Sequence, residues 1–94
     1  MDNEITRADI KKRLSRIEGQ VRGIQKMVDS NEGCNNILIQ IAAIRSAINK
    51  VGGIILENYT QSCINETIAK NGNEVAVNEL IDTIIKFTRY YEVK

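Results

Sequence analysis

The sequence contains no histidine, no tryptophan and no proline, and it has only two cysteines and four aromatic residues among its 94 positions. Without histidine the chain lacks the commonest general base, the commonest zinc ligand and every Ser-His or Cys-His nucleophile arrangement. A hydrolase built on histidine is therefore excluded, and the expectation is a protein that is not an enzyme. Without proline nothing forces a helix to kink or stop. No unbroken apolar run approaches the roughly 20 residues of a membrane helix. The polar start Met1-Asp2-Asn3-Glu4 carries no signal-peptide pattern. The expected location is cytoplasmic, with no membrane partner.

What is present points to one small domain spanning residues 1–94. Apolar residues at 43% and charged residues at 27% exclude a disordered tail or a fibrous repeat. A chain of this length buries only about 60–65% of its unfolded surface, so an elongated helical form needs a partner chain.

Three segments carry helical period and none alternates with period two. The first runs from Arg7 to Val28, with a stripe of Ile10, Leu14, Ile17, Val21, Ile24 and Val28. Met27 falls near this stripe as core filler. Asp29-Ser30-Asn31-Glu32-Gly33 is a turn cluster. A second helix starts near Cys34 and continues to about Thr67, with Ile37, Ile41, Ile44, Ile48, Val51 and Ile55 on its main stripe. Further apolar positions such as Leu38, Ile39 and Ile54 widen that stripe, so the helix needs cover on two sides. Gly52-Gly53 is its one candidate break. After a turn at Asn71-Gly72-Asn73, a third helix carries Val77, Leu80, Ile84, Phe87 and Tyr91. The fold class is all-α: three helices with a long second one.

The net charge of +1 hides an asymmetry. Seven basic residues lie between Arg7 and Met27, opposed only by Asp9 and Glu18. Lys12, Arg16, Gly19, Gly23 and Lys26 fall opposite the apolar stripe. Glycine on an exposed face weakens a helix but lets a bulky group reach the main chain. Basic side chains around such a gap suit the phosphates of duplex DNA. Arg45 and Lys50 interrupt the second helix, so they face solvent or DNA.

Cys34 and Cys63 are 29 positions apart, about 43 Å along a continuous helix. A hairpin at Gly52-Gly53 still leaves them roughly 12 Å apart, beyond the ~7 Å that a disulfide tolerates. Two copies of the second helix packed antiparallel about a two-fold axis would bring Cys34 of one beside Cys63 of the other, twice per dimer. The same packing covers the helix's second apolar side.

The string Arg13-Leu14-Ser15-Arg16-Ile17-Glu18-Gly19-Gln20-Val21-Arg22-Gly23-Ile24, then Cys34, Gln40-Ile41 and Cys63, closely resembles the copper-sensing repressor family (CsoR/RcnR/FrmR type). The resemblance implies an antiparallel dimer, a tetramer made of two dimers, and a transcriptional repressor that leaves double-stranded operator DNA when its effector binds. The basic face expected to contact that DNA is Lys12, Arg13, Arg16, Gly19, Gln20, Arg22, Gly23, Lys26 and Arg45. The resemblance also implies an effector site of Cys34 and Cys63 from the partner chain, with Tyr59 where copper sensors of the family carry histidine and Glu79 behind it. No cofactor is obligatory.

Tyrosine is a poor Cu(I) ligand, and the family's persulfide-sensing branch keeps both cysteines without the histidine. The leading expectation is release by reactive sulfur species, through attack by one thiolate and resolution by the other. Cu(I) held between the same cysteines is the alternative. A copper-binding or thiol-redox protein that does not act on DNA is the rival of another class.

Overall fold

The computed structural model describes residues 4–69, 72 and 74–89. These form three α-helices: α1 (Glu4–Asp29), α2 (Cys34–Ala69) and α3 (Glu74–Arg89). No strand occurs among the described residues, as the sequence predicts. α1 begins earlier than Arg7 and α2 ends two residues beyond Thr67, differences of the size expected where helix ends fray. Asn71, Asn73 and Tyr91, assigned above to the second turn and the third helix, lie outside the described residues.

α2 passes through Gly52-Gly53 without a break. Two glycines cost about 1 kcal/mol each relative to alanine, and the apolar residues on either side outweigh that when they pack. The hairpin alternative is thereby excluded. By length and composition α2 could also cross a bilayer, which the interrupted apolar runs of the sequence conceal. A soluble helix covered by protein on several sides has the same composition.

The chain divides into two compact units, residues 1–54 and 55–94, with the boundary inside α2. In the first, α1 accompanies the opening part of α2. Ile10, Ile17 and Val51 are buried, and Ile24, Met27, Ile37, Ile44 and Ala47 are half-buried. The 4-3 stripe of α1 is thus two rows with seven-residue spacing. The row Ile10-Ile17-Ile24 turns inward, while Leu14, Val21 and Val28 stay exposed. α2 repeats the division, with Ile37-Ile44-Val51 inward and Ile41 and Ile48 exposed. Two rows per helix are the pattern of a bundle with more members than one chain supplies.

In the second unit, Cys63 and Leu80 are buried and Val77, Ile84 and Phe87 are half-buried. This is the predicted α3 stripe as far as the described residues extend. Ile64 and Ile68 of α2 and Ile81 and Ile85 of α3 face outward. Each such side chain gains roughly 1.5–3 kcal/mol when fully covered.

The turn between α1 and α2 is closed by backbone bonds. The Glu32 amide donates to the Met27 carbonyl at 2.9 Å and the Asn31 amide to the Val28 carbonyl at 3.2 Å. Asn31 sits in the left-handed region with φ 60°. This is a Schellman ending with asparagine at the left-handed position. Asn31→Ala is expected to destabilise the protein by about 1 kcal/mol, because alanine tolerates that backbone region poorly. Asn31→Gly is expected to match or exceed the wild type. Urea unfolding at one fixed protein concentration measures both; an unperturbed alanine variant would refute the strained-cap account.

Candidate functional site

Within the first unit, α1 and α2 flank an open groove of about 390 Å³. It is lined by Arg13, Arg16, Ile17 and Gln20 of α1 and by Ala43, Ser46, Ala47 and Lys50 of α2. The turn of residues 30–33 between them is short enough that the two flanking helices run antiparallel here. Three cations, an amide and a hydroxyl around one groove are donors without an acidic counterpart in its lining, which suits phosphate oxygens. Arg13 Nε donates to Asp9 Oδ2 at 3.0 Å. An exposed pair of this spacing contributes about 0.3–0.5 kcal/mol and restrains the Arg13 side chain.

The sequence-predicted DNA face divides around this groove. Arg13, Arg16 and Gln20 line it. Lys12, Gly19, Gly23 and Lys26 are exposed and, by helical period, lie opposite the apolar stripe. Arg22 instead borders the outward apolar row, beside Leu14, Glu18 and Val21. Arg45 is exposed but is not part of the groove lining. Its place on α2 is taken by Lys50 and Ser46. The sequence offered Lys50, with Arg45, as a charge facing solvent or DNA, and nothing marked Ser46. Four-residue spacing from Ser46 to Lys50 is the signal that links them.

A Cβ added at Gly19 or Gly23 would meet nothing within 4 Å. The glycines therefore serve no packing need within this chain. Gly19→Ala and Gly23→Ala are each expected to stabilise α1 by about 0.8–1 kcal/mol and to weaken DNA binding, if DNA approaches the main chain there. Thermal unfolding and fluorescence anisotropy on the same samples test the pair of effects. Greater stability with unchanged DNA affinity would remove the glycine gap from the interface.

Both cysteines are free, Cys34 exposed and Cys63 buried. The Gly33 carbonyl accepts from the amides of Asn36 at 3.0 Å and Ile37 at 3.2 Å. Gly33 therefore caps α2 and Cys34 is its first helical residue, where the helix dipole favours negative charge. Cys63 is 5% exposed. Tyr59 is half-buried and lies one turn before Cys63 on α2. Glu79 is exposed on α3, and its carbonyl accepts from the Thr83 hydroxyl at 2.8 Å.

Among the described residues, no group of three or more Cys, Asp, Glu or His could hold a metal ion. The described residues of one chain thus offer no such metal cage. Two unpaired thiols, by contrast, are soft donors that suit Cu(I) when supplied together.

Residues 6–86 match a family described as metal-sensitive transcriptional repressor. The chain is 44% identical over 80 residues to the copper-sensing transcriptional repressor CsoR of Bacillus subtilis (strain 168), covering 85% of this chain and 79% of that one. Among solved structures it is similar to the copper-sensing repressor CsoR with Cu(I) from Geobacillus thermodenitrificans NG80-2, with TM-score 0.85, 42% identity and coverage of 94% and 92%. It is also similar to the nickel-responsive transcriptional regulator InrS, with TM-score 0.79, 38% identity and coverage of 85% and 90%. One fold therefore accompanies different effectors, and the donor residues must decide between them.

Proposed function

Since the chain belongs to the metal-sensitive transcriptional repressor family, we propose that it is a copper-responsive repressor. In this reading it binds double-stranded operator DNA through the α1–α2 groove and leaves it when Cu(I) binds. Arg13, Arg16 and Lys50 contact phosphates, with Lys12 and Lys26 on the adjoining face. Cys34 of one chain and Cys63 of its partner hold the ion. The protein works in the cytoplasm as a dimer that pairs into a tetramer.

The observation that carries the effector assignment is similarity to copper-sensing proteins over most of the chain, joined to two cysteines free of any disulfide. The nickel-responsive relative does not redirect it, because a chain without histidine has no imidazole for nickel. Antiparallel pairing of two copies through the exposed Ile41 and Ile48 supplies the cover that these apolar residues need.

Reactive sulfur species, the leading expectation from the sequence, become the second reading, since the two CsoR relatives named above are copper-sensing. What keeps that reading is the donor set: two thiols and no imidazole suffice for a di- or polysulfide crosslink.

A gel shift at about 0.15 M salt with the upstream region of the protein's own operon tests the proposal. Stoichiometric Cu(I) is expected to release the DNA, by a coupling of about 1–3 kcal/mol. Release by a persulfide donor alone, with an intermolecular crosslink in the intact mass, would favour the sulfur reading. No operator binding in either state would leave a copper or thiol protein that does not act on DNA.

A further inference from the structure

α2 carries one cation within its outward apolar face. Arg45 stands four residues after Ile41, three before Ile48 and seven after Leu38, so helical period groups it with them. Leu38 is 63%, Ile41 38% and Ile48 44% exposed within the chain, and Arg45 is exposed beside them. Lys50, which lines the basic groove, lies about 140° further round the helix. Arg45 thus shares the uncovered apolar face of α2 and not the groove.

A cation in that position constrains how two such faces can meet. α2 has no Asp or Glu from Cys34 to Leu56, so this stretch of a second copy offers it no carboxylate. An antiparallel two-fold axis at Arg45 itself would set two guanidiniums face to face.

Gly52 supplies the alternative. It follows Arg45 by seven residues, two helical turns, and lies on the same face. It is half-buried and has no side chain, which opens the main chain to close approach. An axis between Ile48 and Asn49 opposes Arg45 of each copy to Gly52 of the other, twice per dimer. The arginine stem then crosses the partner helix where it is thinnest, and the guanidinium reaches the aqueous rim. The pairing that the proposed effector site needs has the same axis: Arg45 is 11 residues after Cys34, and Gly52 is 11 residues before Cys63.

We propose that two copies of this chain pair α2 against α2 about an axis between Ile48 and Asn49, with Arg45 of each seated over Gly52 of the other. The inference rests on the antiparallel dimer proposed above and fixes its register. It also gives a use to Gly52, which otherwise only weakens α2.

Disulfide trapping on a chain with Cys34→Ala and Cys63→Ala reads that register. With Arg45→Cys and Gly52→Cys added together, oxidation by dissolved oxygen is expected to give a covalent dimer. The two new thiols stand about 10 Å apart along one helix, too far to close within a chain, so each disulfide joins two copies. Either substitution alone is expected to run as a monomer on a non-reducing gel. In the natural background, Gly52→Leu is expected to weaken dimerisation about tenfold or more in sedimentation equilibrium, because the added side chain meets the partner's Arg45. Adding Arg45→Ala to it is expected to restore most of that loss.

Crosslinking through Arg45→Cys alone puts the axis at Arg45 and overturns the inference, as does crosslinking through Gly52→Cys alone. A dimer that the double-cysteine chain does not trap overturns it too. So does a Gly52→Leu chain that dimerises normally, or one that Arg45→Ala does not rescue; these outcomes leave the copper reading standing. A wild-type chain that sediments as a monomer is a different result: it overturns the proposed dimer itself and the inference with it.

Discussion

Heterodimers of a Cys34→Ala chain with a Cys63→Ala chain are expected to bind half the Cu(I) of the wild type, although either variant alone binds none tightly. The reason is geometric. If each site takes Cys34 from one chain and Cys63 from the other, the mixed dimer has one complete site and one site stripped of both thiols. If each site belonged to a single chain, the mixed dimer would have none. Chains carrying different affinity tags, co-expressed and purified through both under conditions where the tetramer dissociates into dimers, give the heterodimer.

Folding does not obscure this result. Cys34 is exposed, and its truncation costs little. Cys63 is buried, and losing its sulfur costs about 1 kcal/mol through a small cavity. Both single variants are expected to keep operator affinity while losing the response to copper. Full copper uptake by the mixed dimer would mean that other donors hold the ion.

Arg16→Ala combined with Lys50→Ala is expected to weaken operator binding by about 10²–10⁴-fold per protomer, taking 1.5–3 kcal/mol for each charge-assisted contact. The dependence of log affinity on log salt should fall by about one for each phosphate contact removed. Arg45→Ala, outside the groove, is expected to change both quantities little. Copper affinity should be preserved in both variants, which separates lost DNA contact from misfolding. An unchanged salt slope in the double variant would show that DNA approaches some other face.

The fold was largely legible in the sequence because it depends on period. The 3-4 spacing of Ile10 through Val28 and of Val77 through Phe87 allows only one kind of element. The absence of proline left α2 free to run its full length. What period cannot distinguish is which half of a stripe stays uncovered. Ile17 and Val21 look alike in sequence, yet one is buried and the other exposed, because that depends on where the second helix lies.

The site was legible in a different measure. Cys34 and Cys63 stood out by scarcity, and Arg13 and Arg16 by clustering. Lys50 joins them only because the antiparallel course of α2 in the first unit brings it to the same groove. Arg45, five residues earlier, has the same charge and a different face. The preference for sulfur species over copper came from the missing histidine, whereas the relatives that share the rest of the chain favour copper.

The unbroken course of α2 through Gly52-Gly53 makes the segment between the two cysteines a ruler. Each residue of a regular helix sets the next about 100° around and 1.5 Å along. Substitutions in this stretch leave that measure intact, whereas deleting one residue would swing Cys63 a quarter-turn off its mark. Relatives that share this sensing arrangement should accordingly vary freely in which residues fill the interval and hardly at all in how many.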